Sequence, residues 1–286
     1  MLKALDIQVQ CTAKWGPLLN PEQTEQIGKY LGTKLHYDLT DDQMAQELRD
    51  NNVKAMILLP TSDIREDIGR VRELHDRAAE CQKKHPDVIL GYWATINPHL
   101  GYKGIRELDR CIRDLKFVGY YHITLASGVP MNDPRMNHVY DLCSEAKVPV
   151  KLNIGHTAGG AGLPGGGGFH LNYEQPIPYF DDVCANFPNL TVISGHVPWP
   201  WHNELISVLL HKGNAYAENH GWAPKYIPEE IKKEVNGRLQ DKYMFASDYP
   251  FVTHERVFKE WEEVLKPEVR EKVYWKNAAR IFKIKV

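Results

Sequence analysis

A chain of 286 residues, 43% hydrophobic and 25% charged, is long for one β-sandwich and normal for one α/β barrel, and these proportions exclude a disordered or collagen-like polymer. With 35 basic residues against 37 acidic ones the formal net charge is -2, which leaves no electrostatic footprint for nucleic acid or an anionic membrane and favours a small-molecule partner. The five cysteines (Cys11, Cys81, Cys111, Cys143 and Cys184) are scattered without a CxxC pair, and no apolar leader or membrane-length apolar run is visible, so a reduced cytoplasmic protein is expected.

In chain order, KALDIQVQ at 3–10 alternates as a strand does, and a period of two sets Gln8 and Gln10 on the same face as Asp6. Residues 11–39 form a long connection. Asp41 and Asp42 then open a helix over MAQELRD, followed by the buried run VKAMILL at 53–59. Asp63 opens a second helix, which leads to strand patterns at 88–96 and 117–125. Asn132 and Asp133, before a proline, start a third helix, and strand patterns follow at 148–154, 190–194, 214–218 and 243–247. A last helix spans roughly 268–282. Eight apolar strand-length runs alternating with helices predict one α/β domain over 1–286, a (β/α)8 TIM barrel.

In such a barrel the strand C-termini converge on one mouth, where polar residues distant in sequence share a site. The polar endings here are DIQVQ with Gln8 and Gln10, NIGH with His156, ISGH with His196, and FASD with Asp248. The long segments 11–39 and 157–175 also follow strand ends, where loops build active sites. The glycine run at 165–168 lacks a Walker ending and reads equally as a flexible connection or as a source of backbone donors for an oxyanion. Trp199, Trp201, Trp222 and Tyr249 follow strands six to eight and read as core or as walls of an aromatic pocket. Of His202, His220 and His254, His220 is the strongest further pocket candidate, while Lys225 and Arg256 read as ordinary surface charges.

The runs LNIGHTAGGAG, DDVCANFPNLTVISGHVPWPWHNE, ENHGWAPKYIP, YMFASDYPFVTHERV and KNAARIF resemble the decarboxylase and hydratase branch of the amidohydrolase superfamily, amidohydrolase-related family 2. The stretch W-x-PKY-x-P is most similar to members that hydrolyse hydroxyphenyl β-ketoacyl thioesters. The resemblance implies a metal-dependent-hydrolase-like barrel, often dimeric, cleaving carbon–carbon or ester bonds in small, often aromatic, carboxylates or ketones. It also implies a metal site made from a strand-one His-x-His, the strand-five and strand-six histidines and the strand-eight aspartate. This chain keeps the last three as His156, His196 and Asp248, with Gln8 and Gln10 in place of His-x-His.

A neutral glutamine carbonyl is a poor substitute for imidazole at zinc, so two readings stand: one divalent ion, zinc or manganese, on His156, His196 and Asp248, or none. In either, Asp248 moves the proton; without a metal, His196 or His156 serves as electrophile or acid, and Gln8, Gln10, Trp199, Trp222, His220 and Tyr249 surround the substrate. The expected enzyme is a hydrolase or carboxy-lyase on a small aromatic or cyclic carboxylate or β-keto compound. The alternatives are a metal-free lactonase, isomerase or cyclase, and an inactive ligand-binding homologue.

Overall fold

The structure, a computed structural model, describes residues 2–17, 20–60 and 67–285. Eight parallel strands follow one another in sequence order: β1 (Ala4–Gln10), β2 (Val53–Leu58), β3 (Ile89–Ala94), β4 (Gly119–His122), β5 (Val150–Asn153), β6 (Val192–Gly195), β7 (Ala215–Glu218) and β8 (Tyr243–Met244). Short β8 meets β1 along a seam of backbone bonds, from Ile7 N–H to the Phe245 carbonyl at 3.1 Å, Asp248 N–H to that of Gln8 at 2.9 Å, and Gln10 N–H to that of Tyr249 at 2.8 Å. The sheet is thus a nearly closed TIM barrel, as the alternation of patterns predicts.

Two apolar layers follow from strand parity. Leu5, Ile7, Met56, Leu58, Trp93 and Tyr121 fill the lumen with Ile193 and Met244. The opposite parity, including Ala4, Val9, Ala55 and Ile57, packs in the larger cluster that the helices cover.

One expectation fails in β1. Asp6 pairs with Ala55 and Val9 with Ile57, so three steps on β1 match two on β2. The extra residue is a bulge, and it reverses which side the strand's side chains face. Asp6 therefore shares the outer side with Val9, while Gln8 and Gln10 face the lumen; all three are buried. On its side Asp6 accepts from Ser247 N–H at 3.1 Å, Ser247 Oγ at 2.5 Å and His254 Nε2 at 2.9 Å, tying β1 to the segment after β8.

The long connection 11–39 contains a helix, α1 (Pro21–Leu31), started by a reciprocal box in which Asn20 accepts from Gln23 N–H and the Gln23 side chain accepts from Asn20 N–H. Asn-Pro-x-Gln is a legible start signal, and the expected long connection 11–39 carries this helix within it. Helix α2 (Asp41–Asp50) is capped by Thr40, with Asp41 and Asp42 in its first turn where the helix dipole favours them. Helix α3 (Ile68–Lys84) is capped by Asp67, and the expected start at Asp63 lies outside the described residues. Asp133 caps a 3-10 turn, Pro134–Met136, that runs into the helix Asn137–Ala146. The last helix runs from Pro267 to Phe282 with a wide turn at Lys272–Lys276. All five cysteines are free and buried, and no described helix is long and apolar enough to cross a membrane.

Candidate active site

At the C-terminal end of the strands lies a cavity of about 610 Å³, a size usual for small-molecule sites. Gln8 and Gln10 reach it from β1, Tyr121 from β4 and Asn153 from β5. His156, His196, His220 and Asp248 enter from the loops after β5, β6, β7 and β8, and Trp199, Trp222 and Tyr226 form an aromatic wall. Ile27, Tyr30 and Leu31 of α1 close over one side, and Arg256 stands at the rim.

Two of these residues hold unusual backbone. His196 has φ 69° and Asp248 φ 62°, the left-handed region that residues other than glycine seldom occupy. Such conformations cost on the order of 1–3 kcal/mol each and cluster at functional sites. The twist turns both side chains inward immediately after their strands. They approach Gly221, where an added Cβ would stand 3.3 Å from both Asp248 Oδ2 and His196 Nε2.

The structure brings His196, His220 and Asp248 into one group, with ligand atoms within 4.8 Å of one another. His156 is not in it: its ring packs edge-on against Trp199 and Trp222, with centroids 5.8 and 6.4 Å away. His220, two residues past β7, thus takes the place beside His196 and Asp248 in this group, while His156 lines the same cavity farther from them. Tyr249 does not line the cavity either; its ring stacks on His254 at 4.9 Å and its hydroxyl faces His36 at 3.4 Å. His202 faces Glu230 at 3.5 Å. Among the described residues, Gly165, Gly166 and Gly168 do not line the cavity, which the same loop reaches instead through Thr157, Ala158 and Gly159.

Beneath the floor lies a polar layer that the motifs do not announce. Lys151 of β5, fully buried, donates to Gln8 Oε1 and, at 3.3 Å, to the Ile7 carbonyl, with the faces of Trp93 and Tyr121 4.5 and 4.6 Å from its Nζ. Glu218 of β7 lies 3.8 Å from Lys151 Nζ and accepts from His220 Nδ1 at 2.5 Å. Tyr121 Oη donates to Asn153 Oδ1 at 2.8 Å and stands 3.1 Å from His220 Nε2. Glu174 backs Asn153 at 3.4 Å. The available signal was parity: in VKLN, Lys151 and Asn153 alternate with core residues Val150 and Leu152.

Burial sets the electrostatics. It pushes Asp248 up to about 7, against the opposing bond from the Gln10 amide, and Glu174 up to about 8. The same desolvation pulls Lys151 down to about 8, which leaves its ammonium form dominant at neutral pH, and drives His196 and His220 well below the usual imidazole range. The site thus holds two neutral imidazoles and a carboxyl poised near neutrality, a suitable composition for moving a proton.

The donor chemistry suits a divalent cation in part. His220 Nδ1–H donates a hydrogen bond to Glu218, the carboxylate–histidine pairing that raises a ligand's basicity, and His196 Nδ1 is buried without a partner among the described residues. Gln8 Oε1 already accepts from Lys151, whose positive charge beside it disfavours a second cation on the same oxygen. His196, His220 and Asp248 are thus the residues of this cavity that would hold such an ion.

No curated protein matches the sequence. Among solved structures, an uncharacterised TIM-barrel protein from Bordetella bronchiseptica is 20% identical with a TM-score of 0.75, covering 99% of each chain. The 5-carboxyvanillate decarboxylase of Sphingomonas paucimobilis is 15% identical with a TM-score of 0.67, covering 99% of this chain and 100% of that one. A dihydroxybenzoic acid decarboxylase from a Polaromonas species, solved with manganese and 2-nitroresorcinol, is 16% identical with a TM-score of 0.67, covering 99% and 98%. At these identities the likeness establishes the barrel. The amidohydrolase family profile matches residues 32–284, nearly the whole of this barrel with its strand-end histidines and aspartate, and the chain belongs to the amidohydrolase family.

Proposed function

We propose that the protein is a hydrolase or carboxy-lyase that cleaves a carbon–carbon or ester-type bond in a small aromatic or cyclic carboxylate or β-keto compound. The observation that carries this reading is the convergence of His196, His220 and Asp248 at the floor of one aromatic-walled cavity. The decarboxylases of 5-carboxyvanillate and dihydroxybenzoic acid that share the barrel support the substrate class.

In this reading the substrate ring lies against Trp199 and Trp222, with its reacting carbon or carbonyl over Asp248. Ionised Asp248 takes a proton from the water that attacks the carbonyl in hydrolysis, or in its acid form delivers one to the ring carbon, whose bond to the carboxylate breaks to release carbon dioxide. The Gln10 amide holds Asp248 Oδ1, which aims Oδ2 at the reacting atom. His196, neutral because it is buried, serves as a hydrogen-bonding partner for the oxygen that gains charge. A divalent ion held by His196, His220 and Asp248 would supply Lewis acidity to a substrate oxygen.

The test is a panel of hydroxybenzoates, followed by carbon dioxide release, and of aryl β-keto esters, followed by acid release. Turnover of a member of either group is expected, and Asp248→Asn should lower kcat by about 10²–10⁴-fold with an unchanged melting curve. Wild-type turnover that survives this substitution removes Asp248 as the proton carrier.

A further inference from the structure

A polar feature of the cavity floor is not used by the proton-transfer set. An ammonium group has only hydrogens to offer, so the atom of Gln8 that meets Lys151 Nζ must be its carbonyl oxygen. The amide is thereby fixed in one sense, and its NH2 end is left toward the cavity that Gln8 lines. Gln8 is fully buried, and its Nε2 makes no hydrogen bond of ordinary length among the described residues, the Asp248 carboxyl being the acceptor beside it. A buried amide donor without an acceptor costs about 1–3 kcal/mol, so the cavity carries a standing demand for an oxygen at that point. Gln10 differs. Its NH2 is engaged by Asp248, and its Oε1 is the end without a partner. The two glutamines thus present one donor and one acceptor side by side at the head of β1.

Charge decides which oxygen suits the donor. Behind Gln8 stands a cation that water does not reach, cradled by the Ile7 carbonyl and two ring faces. Its nearest carboxylate, Glu218 at 3.8 Å, is shared with His220 Nδ1 at 2.5 Å. Lys151 therefore polarises the Gln8 amide toward the cavity in a low-dielectric setting, where the preference for an anionic acceptor over a neutral one is enlarged.

We propose that Lys151 and Gln8 form a carboxylate-binding subsite, in which the Gln8 NH2 donates to a carboxylate oxygen of the substrate and Lys151 supplies, through that amide, the positive potential that selects the anion. Lys151 is a positioning residue; Gln8 touches the ligand. The subsite deepens the functional reading above by making a carboxylate, in preference to a neutral ketone or ester, the group held at the head of β1, and it lies beside the His196, His220 and Asp248 group.

Binding tests this without turnover. The full chain, treated with chelator, is titrated by calorimetry with benzoate and with its neutral isostere benzamide. The expected result is benzoate binding about ten-fold tighter than benzamide, weakened about five-fold or more by Lys151→Met, while benzamide moves less than about two-fold. Gln8→Glu replaces the donor with an acceptor and should abolish benzoate binding; it carries the test alone if Lys151→Met does not fold. Wild-type protein that binds benzamide as tightly as benzoate, or neither, overturns the subsite, as does benzoate affinity untouched by both substitutions. Anion selectivity retained by a protein that turns over no compound in the panel would sink the reaction assignment and leave the subsite standing.

Discussion

Asp248 carries a pH signature. Burial sets its carboxyl at about 7, so a step that needs the ionised form should give a kcat/KM that rises through that value and levels above it, measured on chelator-treated enzyme with a substrate that does not itself titrate there. The same shift bears on stability with the opposite sense. The unfolded chain releases this proton in the ordinary carboxylate range and the folded chain only near 7, so the contribution of Asp248 to stability falls as pH rises between those values. The sequence showed Asp248, His196 and the glutamine pair because polar residues after apolar runs stand out at strand ends. Lys151 and Glu218 were hidden for a physical reason: each sits inside a strand, where its parity is visible but the partner that makes a buried charge tolerable comes from another strand. The motif placed His156 at the mouth, and it lines the cavity there, but which side chains stand closest to one another depends on where the chain turns after Asn153.

Among the elements, the loop leaving β5 is held by a close approach. Gly155 has φ +80°, and a Cβ there would stand 2.3 Å from Pro198 Cα and 2.7 Å from the Val197 carbonyl. Gly155→Ala is expected to destabilise by about 1–3 kcal/mol, read by thermal unfolding, and to raise KM by displacing His156 and the Trp199 wall. A melting temperature and KM equal to wild type would show that the two loops can part without cost. All eight strands were legible from their apolar runs because each is buried on both sides. The bulge in β1 was not. Period-two alternation reads straight through DIQVQ, and the inserted residue appears only when β2 supplies the register.

For the whole molecule, the seam is the part that could yield first. β8 has two residues of regular strand, and closure relies on a few backbone bonds plus the Asp6 contacts with Ser247 and His254. One continuous lumen core joins β1 to β8 across that seam, so we expect urea unfolding to give a single transition, coincident by tryptophan fluorescence and far-ultraviolet circular dichroism. Separate midpoints would divide the barrel into independently stable parts and remove the single-domain expectation. Asp6→Asn should lower that one midpoint without splitting it, because it weakens the seam and leaves the lumen core in place.

The extra residue in β1 has a consequence for how this protein can change. Substitutions at 8 and 10 can rewrite what the mouth recognises while the closing contacts of Asp6 persist on the other side of the strand. A one-residue deletion between 6 and 10 has no such freedom, since it must turn either the aspartate or the glutamine pair to the wrong side. Variation in this strand should therefore be tolerated in letters and refused in length, and a mutational library built on it should hold the residue count fixed.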